Sequence, residues 1–251
     1  MTGRSALLFA IKLLLLSTVT LCLASCGNQV VSFADAGLEQ AVRQAIGKSD
    51  GDIHLSDVNG ITVLDASRRD ISDLSGLEHC TGLIELNLNN NAINDLEPLS
   101  KLRKLKELNL SQNTISDISA LCDLTDLEWL SIGRNSVSDI SSLSGLTSLT
   151  TLILSVNHIE DISALSGLNR LQTLQLHMNR VSDISVLAQL TSLNELGLMG
   201  NSIISIEPLV RNSGLGTGDT VDLCDNPLDA ISLETYIPQL EARGVICLNS
   251  P

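Results

Sequence analysis

The sequence predicts an α/β solenoid, a curved stack with a parallel sheet inside the curve, short 3₁₀ or helical segments outside it and a cap at each end. Three observations carry that prediction. Six consecutive stretches repeat every 22 residues without an insertion, from Leu83 to the turn that holds Asn201. Each stretch has Leu or Ile at its first, fourth and sixth positions and Asn at its ninth, as in Leu83, Leu86, Leu88 and Asn91, then Leu105, Leu108, Leu110 and Asn113. Aromatics make up only 2% of the 251 residues, so the core must be built from Leu and Ile at fixed spacing.

The frame LxxLxLxxN is the leucine-rich repeat signature, near the short end of its period range. The fold class is therefore a leucine-rich repeat horseshoe. Such a solenoid offers a broad surface more readily than a closed pocket, which directs the functional question towards binding.

The elements follow in chain order. Residues 1–25 read as an export signal: Arg4 and Lys12 precede or border the apolar run Leu13–Ala24, too short to span a bilayer. The run ends Leu23-Ala24-Ser25-Cys26, which resembles the lipobox of bacterial lipoprotein signals. That resemblance implies lipidation of Cys26 and anchoring by more than one acyl chain. The alternative is a plain secretory signal cut at another small residue. Residues 26–34 read as a tether. Residues 35–60 form a helical cap, with Asp35 as N-cap, apolar residues at helical spacing through Ile46 and Gly47 as the stop.

Repeats occupy 61–217. In each, positions 1, 4 and 6 point inward, and position 9 is a buried Asn whose amide needs partners. Asn91, Asn113, Asn135, Asn157, Asn179, Asn201 and Asn226 make this ladder, and Arg69 stands where the first should be, so the first turn should be irregular. Position 15 is Ser, or Glu followed by Pro at Glu97 and Glu207, which starts a short convex helical turn. Asn212–Asp219 is polar, Gly-containing and the one long insertion. Residues 218–251 read as the last turn and C-terminal cap, with a helix kinked near Pro238 and a final strand at Val245–Leu248.

Residues 61–210 resemble the internalin class of bacterial leucine-rich repeats. The resemblance rests on the Asp-Ile/Leu pair after the Asn: Asp73-Leu74, Asp95-Leu96, Asp117-Ile118, Asp139-Ile140, Asp161-Ile162 and Asp183-Ile184. It implies recognition of a protein through the concave sheet. No immunoglobulin-like domain follows the repeats, and the Cys26 anchor takes the place of wall attachment.

With positions 4 and 6 facing the core, positions 3, 5, 7 and 8 should face the concave side. The candidate ligand-binding residues are Trp129, Arg134, Ile153, Val156, Gln175, His177 and Met178, with the chain's one Trp placed beside Ile153. Alternatively, Trp129 packs locally over Ser131 and Gly133.

The expected partner is a protein or peptide. The membrane is reached through the lipid anchor only, at the cell surface or facing a periplasm. Fifteen Lys and Arg against 29 Asp and Glu give a net charge of −14, which argues against nucleic acid. A structural envelope component that self-assembles is the second reading.

No GxSxG, P-loop, HExxH or paired CxxC occurs, so neither catalysis nor a cofactor is expected. The stacked Asp at position 13 suit either calcium or backbone N–H groups at the turn. His158 and His177 lack a third ligand for zinc. Cys80 replaces a core Leu. Cys122 lies two turns away, beyond disulfide reach. Cys224 and Cys247 flank the C-terminal cap, either joined by a disulfide or as two thiols.

Overall fold

The computed structural model describes residues 29–249, so Cys26 and the export segment lie outside the described residues. Nine three-residue strands form one parallel sheet in chain order: β1 (Val63–Asp65), β2 (Glu85–Asn87), β3 (Glu107–Asn109), β4 (Trp129–Ser131), β5 (Thr151–Ile153), β6 (Thr173–Gln175), β7 (Glu195–Gly197), β8 (Thr220–Asp222) and β9 (Ile246–Leu248). Each residue of β1 to β6 pairs with the one 22 positions on, so the sequence period is also the sheet register. This is the leucine-rich repeat solenoid.

The columns dictated by that register fill the core. Leu86, Leu108, Leu130, Leu152, Leu174 and Leu196 stack on consecutive strands, each at most 2% exposed. Full burial of one such side chain stabilises by roughly 1.5–3 kcal/mol, so a six-turn column supplies what the missing aromatics would have given. Convex segments are 3₁₀ turns starting at Glu97, Ser119, Ser141, Ser163 and Ser185. Pro98 and Pro208 stand at the starts of the Glu97 turn and the Glu207–Arg211 helix, where a missing N–H leaves no acceptor unsatisfied.

The asparagine ladder ties turn to turn. Asn157 donates from Nδ2 to Leu154 O in its own turn (2.9 Å) and to Ile132 O in the preceding one (3.0 Å), and its Oδ1 accepts from Val137 N (2.9 Å). The same set recurs at Asn179 and Asn201. At the N-terminal end Arg69 reaches out instead, donating to Gln44 Oε1 at 2.7 Å, and Asp70 after it adopts a positive φ that its counterparts in later turns lack. The turn there is irregular for that reason.

Helix α1 (Ala36–Ile46) closes the N-terminal end. Asp35 Oδ1 accepts from Gly37 N (2.8 Å) and Leu38 N (3.2 Å), while Oδ2 accepts from Ser72 N (3.0 Å), so one carboxylate both caps the helix and fastens it to the first repeat. Gly47 ends it at φ 66°. A single helical turn follows at Leu55–Val58. Residues 29–34 differ from the expected tether: Val30 bridges His54, and Val31 and Phe33 are buried in the cap. Alternating Val31 and Phe33 supply the apolar face that makes this segment part of the fold.

At the other end the strand-to-strand step grows from 22 to 25 residues, since Glu195 pairs with Thr220. The Asn212–Asp219 insertion is therefore net three residues. It is tied down by buried Asn212, which donates to Leu187 O (2.7 Å) and Leu190 O (3.1 Å), and by Arg243, which donates to Val210 O (2.9 Å), Asn212 O and Leu215 O. A π-helical turn at Ser232–Tyr236 passes into a helix at Ile237–Ala242, with Pro238 in the first turn of that helix, where no N–H is needed.

Candidate recognition surface

The strands expose two rows to the concave side. Position 3 contributes Val63, Glu85, Glu107, Trp129, Thr151, Thr173, Glu195, Thr220 and Ile246, and position 5 runs alongside from Asp65 to Leu248. Trp129 is half-buried in the first row, while Ile153 and Gln175 sit in the second.

The register corrects one expectation. Trp129 pairs with Thr151, and Ile153 pairs with Ser131, so Trp129 and Ile153 are diagonal rather than adjacent. Trp129 closes one end of a groove of about 260 Å³ on the N-terminal side, shared with Val63, Asp65, Glu85, Asn87, Glu107 and Asn109. Ser131 and Gly133 are buried, so the sheet beside Trp129 is a tight floor of small residues.

Position 8 is a second correction. Alternation predicts a concave-facing column, but the strand has ended by then. Asn90, Gln112, Arg134, Val156 and Met178 adopt φ of 55–62°, turning the chain off the sheet. Arg134, Val156 and Met178 thus form a rim along the edge of the concave face, where Val156 is 38% and Met178 52% exposed. A β-branched residue rarely takes positive φ. Val156 is held there from both sides: its N–H donates to His177 O (2.8 Å) and its carbonyl accepts from Asn135 N (3.3 Å).

The C-terminal half of the face is interlocked. Gln175 Nε2 donates to Glu195 Oε1 at 2.8 Å, and His177 Nδ1 accepts from Met199 N at 3.2 Å, with Asp222 Oδ2 3.9 Å away. Gly197 leaves room for them: a Cβ there would meet Gln175 Oε1 and His177 Nε2, so both side chains would have to move. Of the sequence-derived site, Trp129, Ile153, Gln175 and His177 therefore form a floor, and Arg134, Val156 and Met178 a rim.

Other candidates resolve differently. Each position-13 Asp accepts the backbone N–H two residues on, from Asp73 with Ser75 to Asp183 with Ser185, at 2.8–2.9 Å. The backbone N–H and hydroxyl of Ser119, Ser141 and Ser163 hold Asp117, Asp139 and Asp161 below the usual carboxylate range; at Asp73 the Ser75 hydroxyl is the larger cause. These carboxylates are engaged by the turn. His158 lines a hollow with Asp139, Glu160, Asp161 and Arg180, whereas His177 lies on the concave side, so the two are not brought together. Among the described residues no group of three or more His, Cys, Asp or Glu is placed to hold a metal.

The cysteines separate too. Cys80 is buried and its thiol is pushed up to about 12 by desolvation. Cys122 is exposed. Cys247 pairs with Val221 and is half-buried, with burial raising its thiol to about 11. Cys224 stands two residues beyond the end of β8, in the turn that follows the strand. The register thus sets Val221, not Cys224, opposite Cys247, and does not supply the pairing that a Cys224–Cys247 disulfide would need.

The groove residues Val63, Asp65, Glu85 and Glu107 were not among the sequence-derived candidates. Their signal was Glu in column 3 on two successive turns, immediately before the Trp.

The family described as Leucine Rich repeats (2 copies) matches residues 81–123, 103–145 and 125–167. No curated protein gives a significant match. Among solved structures, internalin C2 from Listeria monocytogenes is 32% identical, with a TM-score of 0.77 over 87% of this chain and 94% of that one. Internalin inlF from the same organism is 28% identical, TM-score 0.63, covering 87% and 76%. The ectodomain of the Arabidopsis thaliana receptor kinase GASSHO1/SCHENGEN3, solved with CASPARIAN STRIP INTEGRITY FACTOR 2, is 27% identical, TM-score 0.58, covering 70% of this chain and 22% of that one. Leucine-rich repeat proteins generally mediate protein–protein recognition. An unbroken 22-residue register, capped at both ends and matched along nearly the whole of an internalin, makes this chain a member of the internalin-like leucine-rich repeat family.

Proposed function

We propose that the protein is a lipid-anchored, extracytoplasmic, non-enzymatic recognition module that binds a protein or peptide through its concave face. The observation that carries this reading is the placement of Trp129 in a concave row of the sheet, half-buried at the end of a groove, with Val156 and Met178 exposed along the rim of the same face. Exposed apolar groups gathered on one face mark interaction sites, and Trp is a favoured anchor. The position of Cys26 after an apolar leader supports the anchor. Among the described residues no helix is long and apolar enough to cross a membrane.

Capture from envelope extract and culture medium, with wild type and Trp129→Ala side by side, tests this. A protein held by wild type and lost from the variant is expected; equal capture by both would remove the concave face as the site. The anchor is tested by radiolabelled fatty acid, which should enter the wild type and not Cys26→Ala.

A second reading, self-assembly of an envelope component, draws on the C-terminal edge. The outer edge of β9 takes no further strand among the described residues, and it carries Ile246 and Leu248, 53% and 46% exposed. Light scattering that shows mass rising with concentration, and abolished by Ile246→Lys, would favour it.

A further inference from the structure

The groove ending at Trp129 has an electrostatic peculiarity. Glu85 and Glu107 stand directly opposite each other in the register of β2 and β3, about one strand spacing of ~4.8 Å apart. Like charges facing each other across a sheet repel and destabilise it. On neighbouring turns several exposed acids have partners: Glu128 with Lys106 at 2.8 Å, Asp123 with Arg103 at 2.6 Å, Glu160 with Arg180 at 3.6 Å, and Glu195 with the Gln175 amide at 2.8 Å. Among the described residues no Lys or Arg forms an ion pair with Glu85 or Glu107.

The surroundings say what would neutralise them. Trp129 is the next residue along the row after Glu107, and Val63, 54% exposed, precedes Glu85. The row is therefore apolar, acidic, acidic, aromatic. Alongside run Asn87 and Asn109, whose Oδ1 atoms accept from Asn89 N and Ser111 N (both 3.1 Å), leaving their Nδ2 groups as donors for a peptide carbonyl. A carboxylate pair next to an indole suits an organic cation, since Lys and Arg gain from the face of Trp as well as from opposite charge. The net charge of −14 would also speed encounter with a basic partner.

We propose that the β1–β4 part of the concave face binds a basic peptide segment, seating a Lys or Arg side chain between Glu85 and Glu107 against Trp129. This rests on the concave-face reading above and names the chemistry of its partner.

Trp129 is the only Trp in the chain, so its emission reports the site directly. The full chain would be titrated with tetra-arginine and with tetra-glutamate, read by fluorescence and calorimetry. Saturable binding of tetra-arginine with a shift in Trp129 emission is expected, and none with tetra-glutamate. Glu85→Gln with Glu107→Gln should weaken it about tenfold. Glu234→Gln with Glu241→Gln, which removes the same charge at exposed sites in the C-terminal cap, should change it less than twofold.

Equal weakening by both pairs would overturn the proposal, leaving only diffuse attraction. So would absence of binding or of an emission change. Melting curves should show the Glu85/Glu107 variant folded. If a captured native partner depends on Trp129 yet binds the Glu85/Glu107 variant unchanged, concave recognition stands and the basic-segment proposal fails.

Discussion

Val156 should be a place where the molecule is less stable than it could be. Its backbone sits at φ 62° and is fixed by hydrogen bonds to His177 O and from Asn135 N, so it cannot relax. An L-residue in this region costs roughly 1–2 kcal/mol, more when β-branched, whereas Asn tolerates it. Replacing Val156 by Asn releases that cost and loses part of the packing of a side chain already 38% exposed, about 0.5 kcal/mol. The net gain is about 1 kcal/mol, or about 2–4 °C in melting temperature for a domain of this size. Val156→Gly should gain less, because glycine adds about 0.4–1 kcal/mol of unfolded-state freedom. Val156→Thr keeps the branching and should gain nothing. Urea and thermal melts would give this order: Asn above Gly, Gly above Thr and wild type. If Asn and Thr are equal, backbone strain is not stored at Val156. If the rim is part of the recognition surface, the stabilised Asn variant should lose affinity for a captured partner, the trade expected where strain persists at a functional position.

Three further outcomes follow from the same geometry. Asn157→Ala leaves Val137 N, Ile132 O and Leu154 O without their partner in a buried setting and should cost about 3–5 kcal/mol, read as a fall of about 10 °C in melting temperature; at half-buried Asn91 water can substitute and the loss should be about half. Gly197→Ala should leave the fold intact at a cost of about 1 kcal/mol while breaking the Gln175–Glu195 bond and shifting the His177 imidazole resonances in NMR spectra. Because Asp73, Asp117, Asp139 and Asp161 have lowered folded pKa values, their contribution is complete above the unfolded value near 3.8 and is lost as pH falls through the folded ones. Denaturation midpoints should therefore be insensitive to these groups between pH 5 and 8 and drop below about pH 4.

The fold was legible because one physical requirement recurs every 22 residues: Leu at positions 1, 4 and 6 must bury, and Asn at 9 must find the carbonyls of two turns. Arg69 in the Asn column likewise marked the irregular first turn correctly. The candidate site was less legible, for two local reasons. Alternation holds only while the chain is a strand, and each strand here is three residues long. Position 8 lies beyond it, so Arg134, Val156 and Met178 went to the rim rather than the floor. Read down the column, Asn90, Gly200 and Asp225 tolerate positive φ and carried the information that Val156 conceals. Trp129 was set beside Ile153 by proximity in the repeat, but side chains pair only at equal register, which gives Trp129 the neighbours Glu107 and Thr151. Val31 and Phe33 show a third limit, for a short apolar alternation before a helix reads as a tether until the surface it covers is known.

The measurement that bears most directly on concave-face recognition is photocrosslinking in intact cells, with a benzophenone side chain placed at Thr151 on the concave side or at exposed Ser144 on the convex side. The account predicts a crosslinked adduct to a different protein from position 151, lost when Trp129 is also changed to Ala, and none from 144. Adducts from 144 alone, or adducts whose mass is twice that of the chain itself, would contradict it.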